Sequence, residues 1–263
     1  MKSIIVLENN NSKVRLEKGE LISFIFNNEE FIHQKGNKGW RKSDDEMFPV
    51  IGPTSKNNYR IHTKKGNAIQ DQHGLLRELT YELYYSDDTS AKFIKNYAKN
   101  TKITNAKFPE KSNEPLLNWP FDFSFEKHFT LKEGILEIDF KIISEKGMPY
   151  MLGYHPAFML SDTGKDTLIA NDKKITLKDV YKLGHNAFPI LNTEKIVLQN
   201  TDRKHLEIST KGFNNFMLWT EVDNMLCIEP ITQYTSYTNQ KFSEENMSIS
   251  KGINRFSIHI KVI

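Results

Sequence analysis

The sequence predicts an all-β fold, a large antiparallel β-sandwich, and three observations predict it. Apolar residues recur with period two over several stretches, as they do in strands with one buried face. The runs are short, and clusters of Asn, Asp, Gly and Lys separate them, as turns between antiparallel strands require. No long segment carries a convincing apolar stripe at the helical spacing of about 3.6 residues.

In chain order, Val14 and Leu16 alternate before Gly19, and the run 21–26 ends at Asn27-Asn28, a good turn pair. A strand is expected at 81–85. The strongest signal is a hairpin. Phe121, Phe123, Phe125, Phe129 and Leu131 alternate with polar residues, and so do Leu136, Ile138, Phe140 and Ile142. Lys132-Glu133-Gly134 forms the turn between them. Residues 165–179 come nearest to a helix, but Thr167, Ile169, Ile175 and Thr176 are β-branched and favour strand. Further strands are expected at 196–198, 206–208, 216–219 and 226–228. Phe256, Ile258, Ile260 and Val262 alternate with Ser257, His259 and Lys261 in the last one. Linkers, repeats and low-complexity tracts are absent, so the 263 residues are expected to form one domain over 1–263.

Composition narrows the function classes. Thirty-six basic residues against 33 acidic ones leave a net charge of +3. That balance argues against nucleic acid and anionic membranes as partners, since both need a concentrated basic face. The pairs Lys64-Lys65 and Lys173-Lys174 read as solvated loop faces. With a single cysteine, Cys227, neither an internal disulfide framework nor a cysteine zinc site is expected. With no membrane-length apolar run, and an N-terminal apolar run of only four residues, a cytoplasmic location is expected.

Three segments look chemical. In Asp71-Gln72-His73-Gly74-Leu75-Leu76-Arg77-Glu78, a His, a Gly and an Arg fall close together. An ordinary polar loop with an Arg–Glu pair is the simpler reading of that segment alone. In Gly153-Tyr154-His155-Pro156-Ala157-Phe158, a histidine lies in an apolar, aromatic run. It is either a buried histidine satisfied by a backbone carbonyl or an acid–base group with a perturbed pKa. In Met225-Leu226-Cys227-Ile228-Glu229-Pro230, a carboxylate ends an apolar strand. Acids are rarely buried unpaired, so Glu229 needs an arginine partner such as Arg77, an exit to the surface, or a role as a base.

In this order the segments, with Trp40, Met47-Phe48-Pro49-Val50-Ile51-Gly52 and Trp119-Pro120-Phe121-Asp122-Phe123, resemble the aldose 1-epimerase family. The likeness is greatest to its shorter bacterial branch of galactose mutarotase-like proteins. The resemblance implies the family's β-supersandwich fold and a small sugar as substrate. It implies that Glu229 is the general base for the anomeric hydroxyl, that His155 is the acid for the ring oxygen, and that His73 is a second histidine beside it. Arg77 and Gln72 would bind sugar hydroxyls, with Trp40, Trp119 and Phe158 as stacking faces. This chemistry needs neither metal nor cofactor, and a monomer or weak homodimer is expected.

One departure from the family pattern stands out. Pro53 occupies the place where many members carry an arginine, so either Arg60 or Arg77 substitutes or sugar binding is weakened. No acidic residue is framed as a holder of sugar hydroxyls, although Asp162, Asp166 and Asp172 are near. The alternatives are a non-catalytic sugar binder on the same fold, a glycoside hydrolase or lyase, and a His₂Glu metal site. Hydrolysis asks for two carboxylates, and only Glu229 is framed. The metal site lacks a short-range ligand pair.

Overall fold

Alternation along the strands builds two large antiparallel sheets that share one core. The computed structural model describes residues 4–40, 45–235 and 242–263. The wider sheet has nine strands, in the order Lys173–Thr176, Thr167–Ala170, Lys195–Gln199, Leu206–Lys211, Ile253–Val262, Ile135–Ser144, Phe123–Lys132, Ser90–Tyr97 and Glu82–Ser86. The expected hairpin sits at its centre, with Lys132 opposite Ile135 and Glu133-Gly134 as the tight turn. Gly134 adopts φ +67°, a left-handed conformation that glycine enters without Cβ cost. Phe123, Phe125, Lys127, Phe129 and Leu131 are buried, while the residues that alternate with them are half-buried.

The second sheet carries the site. Its strands run Phe188–Leu191, Asn215–Trp219, Met225–Ile231, Gly153–Tyr154 and Glu46–Met47, and Ala157–Met159 also pairs with Met225–Ile231. Strand Met225–Ile231 is buried along its whole length. One face of it, through Leu226 and Ile228, joins the main core. Phe140 and Tyr154, with ring centroids 5.3 Å apart, and Phe48 and Phe125, 5.8 Å apart, show the two sheets packing face to face. Burying each such aromatic side chain contributes on the order of 1.5–3 kcal/mol. A four-stranded sheet from Ile4–Asn9 to Glu29–Glu30 closes one side of the core with Leu7, Val14, Leu16, Leu21 and Phe24. No helix among the described residues is long and apolar enough to cross a membrane.

Two local expectations change. Residues 165–179 do form strands, but the segment turns into the helix Leu177–Tyr181. A capping box starts it, in which the Thr176 side chain and the Asp179 side chain satisfy each other's backbone amides. Lys173-Lys174 is exposed as expected, yet it lies on an edge strand rather than in a loop. At the opposite edge, strand Glu82–Ser86 is exposed throughout and is interrupted by a register shift between Leu83 and Tyr85.

A buried ionic cluster joins the two sheets. Lys127 and Lys95 project from neighbouring strands of the wide sheet onto Glu46 of the second, at 2.7 and 3.7 Å. Lys127 is 0% exposed and Glu46 is 2% exposed. The lysines also lie over aromatic rings, Lys95 4.1 Å from the Tyr81 centroid and Lys127 4.9 Å from that of Tyr154. Burial alone would raise the Glu46 carboxyl, but the two ammonium groups outweigh it and hold the carboxyl below its ordinary value of 4.5. A depressed folded-state value means stability that is present above 4.5 and lost as pH falls through the lowered value.

Replacing Glu46 by Gln removes the carboxylate that both buried ammonium groups approach. We expect Glu46→Gln to lower unfolding free energy by about 3–5 kcal/mol in urea titrations at neutral pH. The gap between wild type and variant should narrow as the medium is acidified below pH 4.5. An unchanged urea midpoint at neutral pH would show that Glu46 does not hold the cluster together.

Candidate active site

Strand parity selects the residues that face away from the core. Along Met225–Ile231, Cys227 and Glu229 share one side, and Trp219 and Met217 lie opposite them in register on the neighbouring strand. Ala157 pairs with Cys227 on the other side. Ala157, Met225 and Cys227 form a small cluster of their own against Trp40, Trp219 and Val222. Above this face lies a cavity of about 1070 Å³, whose walls include Trp40, Asp45, Gln72, His73, Arg77, His155, Trp219 and Glu229. A cavity of that size accommodates a small polar ligand.

At its floor, His155 Nε2 lies 3.2 Å from Glu229 Oε1. The imidazole stacks on Trp40 at 5.4 Å and 24°, and Trp219 meets it edge-on at 6.1 Å. His73 approaches from another side at 5.5 Å, also edge-on. The backbone N–H of His155 donates to the Asp45 carbonyl at 2.8 Å. The Asp45 carboxylate accepts from Arg77 Nη2 at 2.9 Å. Asp45 thus fixes His155 through its main chain and Arg77 through its side chain.

Burial governs the electrostatics. It pushes His155 down to about 4, against the opposing pull of Asp45. A hydrogen bond to its own backbone also opposes the shift, without overcoming burial. Burial raises Glu229 well above the usual carboxylate range. Both directions favour a pair that holds one proton between its members rather than two or none. His73 is held well below its ordinary value, first by burial and then by His155, Arg77 and Lys107. It is a neutral imidazole, able to donate from one nitrogen and accept at the other. Burial also pushes the Cys227 thiol well up.

The structure brings together Glu229, His155, His73, Arg77, Gln72 and Trp40. It does not bring Trp119 or Phe158. Phe158 lies opposite Leu226, on the face of the sheet that joins the core. Trp119 is wholly buried, packs on Phe121 at 5.8 Å and has its backbone N–H bonded to Tyr97. Neither ring offers a face to the cavity. The partner of Glu229 is His155, and Arg77 pairs with Asp45 instead. Pro53 does line the cavity, while Arg60 is paired with Glu114 at 2.8 Å. Asp166 is buried as a loop clamp that accepts from the Ser161 and Thr201 amides.

Sequence reasoning missed Trp219 and Asp45. Both sides of strand Asn215–Trp219 are largely apolar, so alternation could not separate cavity from core. Asp45 is one of three consecutive acids, Asp44-Asp45-Glu46, with nothing in the sequence to single it out.

The fold has known counterparts. The aldose 1-epimerase family model matches residues 19–233, and the chain belongs to that family. No curated protein matches the sequence. Among solved structures, a galactose mutarotase-like protein from Lactobacillus casei superposes with a TM-score of 0.79 at 16% identity, covering 99% of this chain and 100% of that one. A galactose mutarotase related enzyme from Lactobacillus acidophilus gives a TM-score of 0.74 at 19% identity, covering 99% and 97%. An aldose epimerase homologue from C. elegans gives 0.70 at 12%, covering 99% and 98%. At these identities the likeness establishes the fold.

The loop before Arg77 is tightly built. Gly74 adopts φ +72°, and a Cβ there would collide with the Phe48 carbonyl oxygen. The close approach that this glycine permits is therefore to the protein's own backbone. We expect Gly74→Ala to destabilise the fold by about 1–3 kcal/mol, read from the shift of the denaturation midpoint. A silent substitution would show that the loop relaxes freely.

Proposed function

We propose that the protein is an aldose 1-epimerase that interconverts the anomers of a cyclic aldose, with Glu229 and His155 as its acid–base pair. The observation that carries this reading is the desolvated contact of 3.2 Å between a carboxylate and an imidazole at the floor of the cavity. Ring opening takes one proton from the anomeric hydroxyl and places one on the ring oxygen. Glu229 takes the first and His155 gives the second. The pair exchanges one proton for another, so its own proton count stays the same. Rotation about C1–C2 and closure, with the roles reversed, delivers the other anomer.

The surroundings support these roles. Burial disfavours the imidazolium, the form in which His155 is the donor, and the negative charge of Asp45 offsets part of that penalty. Neutral His73 is placed to donate a hydrogen bond where charge gathers near the ring oxygen. Arg77 and Gln72 line the wall and offer donors to sugar hydroxyls, and Arg77 is already oriented by Asp45. Trp219 and the free part of Trp40 supply apolar surface for the C–H face of a pyranose.

Pro53 in the cavity wall gives a second reading some weight, a protein that binds a sugar without turning it over. Polarimetry of freshly dissolved α-D-glucose and α-D-galactose separates the two. Wild type should speed equilibration well above buffer. Glu229→Gln should slow the enzymatic rate about 10²–10⁴-fold, with sugar binding nearly intact. If wild type binds sugar but matches buffer for free and phosphorylated aldoses, the binding protein is the better description.

Arg77 tests substrate recognition separately. Removing a charged hydrogen-bond donor costs about 1.5–3 kcal/mol. Arg77→Met should therefore lower kcat/KM by that free energy, mostly through KM. A loss confined to kcat would move Arg77 from binding to the chemical step.

A further inference from the structure

The strand that carries Glu229 also places Cys227 on the same side, two residues earlier, and its thiol has no part in the acid–base chemistry. One ligand atom from each of His155, Cys227 and Glu229 lies within 4.8 Å of the other two. We propose that these three side chains form a binding site for a thiophilic divalent cation of the Zn²⁺ class, and that its occupancy shuts the active site.

The donor set selects the ion. A thiolate, an imidazole and a carboxylate suit Zn²⁺ and exclude Mg²⁺ and Ca²⁺, which want oxygen ligands in larger number. The ligands come from rigid elements. Cys227 and Glu229 sit on one strand, and His155 lies between two short strands that both pair with it. Bonds of about 2.0–2.3 Å from Zn²⁺ bring tetrahedral ligand atoms to roughly 3.3–3.8 Å apart. The contact between His155 and Glu229 is already 3.2 Å, and the Cys227 sulfur, within 4.8 Å of both, has to come about 1 Å closer to complete the site. His155 and Glu229 line the cavity, which supplies the entry path. Three protein ligands leave the fourth position open toward that cavity, for water or a sugar oxygen.

Binding forms a Zn–S bond as the thiol proton and the one proton held by the His155–Glu229 pair both leave to solvent, with no change of oxidation state. The ion then takes the lone pair of the His155 nitrogen and the charge of the Glu229 carboxylate. Neither group can exchange protons with a sugar while it is held. Metal binding itself is independent of the epimerase reading, whereas the loss of turnover rests on it.

The test uses the full chain without a metal-binding tag. Because Cys227 is the only cysteine, any thiolate-to-metal signal reports this site. Titration with Co²⁺ should produce a thiolate-to-cobalt charge-transfer band in the near ultraviolet that Zn²⁺ displaces and Mg²⁺ leaves unchanged. Cys227→Ala should lack the band, bind Zn²⁺ at least about 10-fold more weakly, keep its sugar turnover and escape inhibition by Zn²⁺. A folded wild type with no such band overturns the proposal, as does equal Zn²⁺ affinity in wild type and Cys227→Ala. If Cys227→Ala does not fold, the wild-type band and its displacement by Zn²⁺ decide alone. If no aldose is turned over by any form, the band still decides the metal site, and the failure belongs to the epimerase reading.

Discussion

The buried cluster of Glu46, Lys127 and Lys95 is the constraint on which the site depends. It joins strands of both sheets in the interior, where a charge without a partner is costly. Its consequences reach the cavity in two short steps. Glu46 is followed back along the chain by Asp45, whose carbonyl holds the His155 amide and whose carboxylate holds Arg77. Lys95 also donates to the Leu76 carbonyl, one residue before Arg77, at 3.0 Å. The same ionic contacts that register one sheet against the other therefore set where the imidazole and the guanidinium stand.

Above that foundation, water exclusion shapes the chemistry. Trp40 and Trp219 pack around His155, and the strand beneath Glu229 is buried on both sides. A carboxylate and an imidazole in bulk water would titrate near their ordinary values and pass protons to solvent. Here burial reverses their order, pushing the imidazole down to about 4 and the carboxyl well above its usual range. In the proposed reaction this pair takes a proton from one oxygen of a sugar as it gives one to a neighbouring oxygen. The same dryness brings a thiol into the group, because strand parity cannot admit Glu229 to this face and exclude Cys227.

Much of the fold was legible because most of the wide sheet has one face inside and one outside. The hairpin around Glu133-Gly134 and the final strand follow from alternation alone. Glu229 stood out because an acid closes an apolar run, and His155 because it interrupts one. The rest was hidden where both faces of a strand are covered. Strand Asn215–Trp219 shows no alternation, so Trp219 looked like any core aromatic. Phe158 was misread, although in an extended segment it falls on the opposite side from His155, three residues earlier. The helix Leu177–Tyr181 is short, and its signature is the spacing of Thr176 and Asp179 rather than any apolar period. The cluster around Glu46 draws its three members from positions 46, 95 and 127, and no local pattern connects them.

The two rims of the nine-stranded sheet bear on how the chain behaves in a crowd. An open sheet ends in rows of unpaired amides and carbonyls, and another chain could add a strand to either. At one rim, Lys173 and Lys174 set two exposed ammonium groups along the edge, so a like rim on a second copy meets repulsion before it meets hydrogen bonds. At the other, the shift between Leu83 and Tyr85 breaks the even spacing of the ladder, and an incoming strand finds its partners out of step. One border is guarded by charge and the other by geometry, and each disfavours the docking of a further strand.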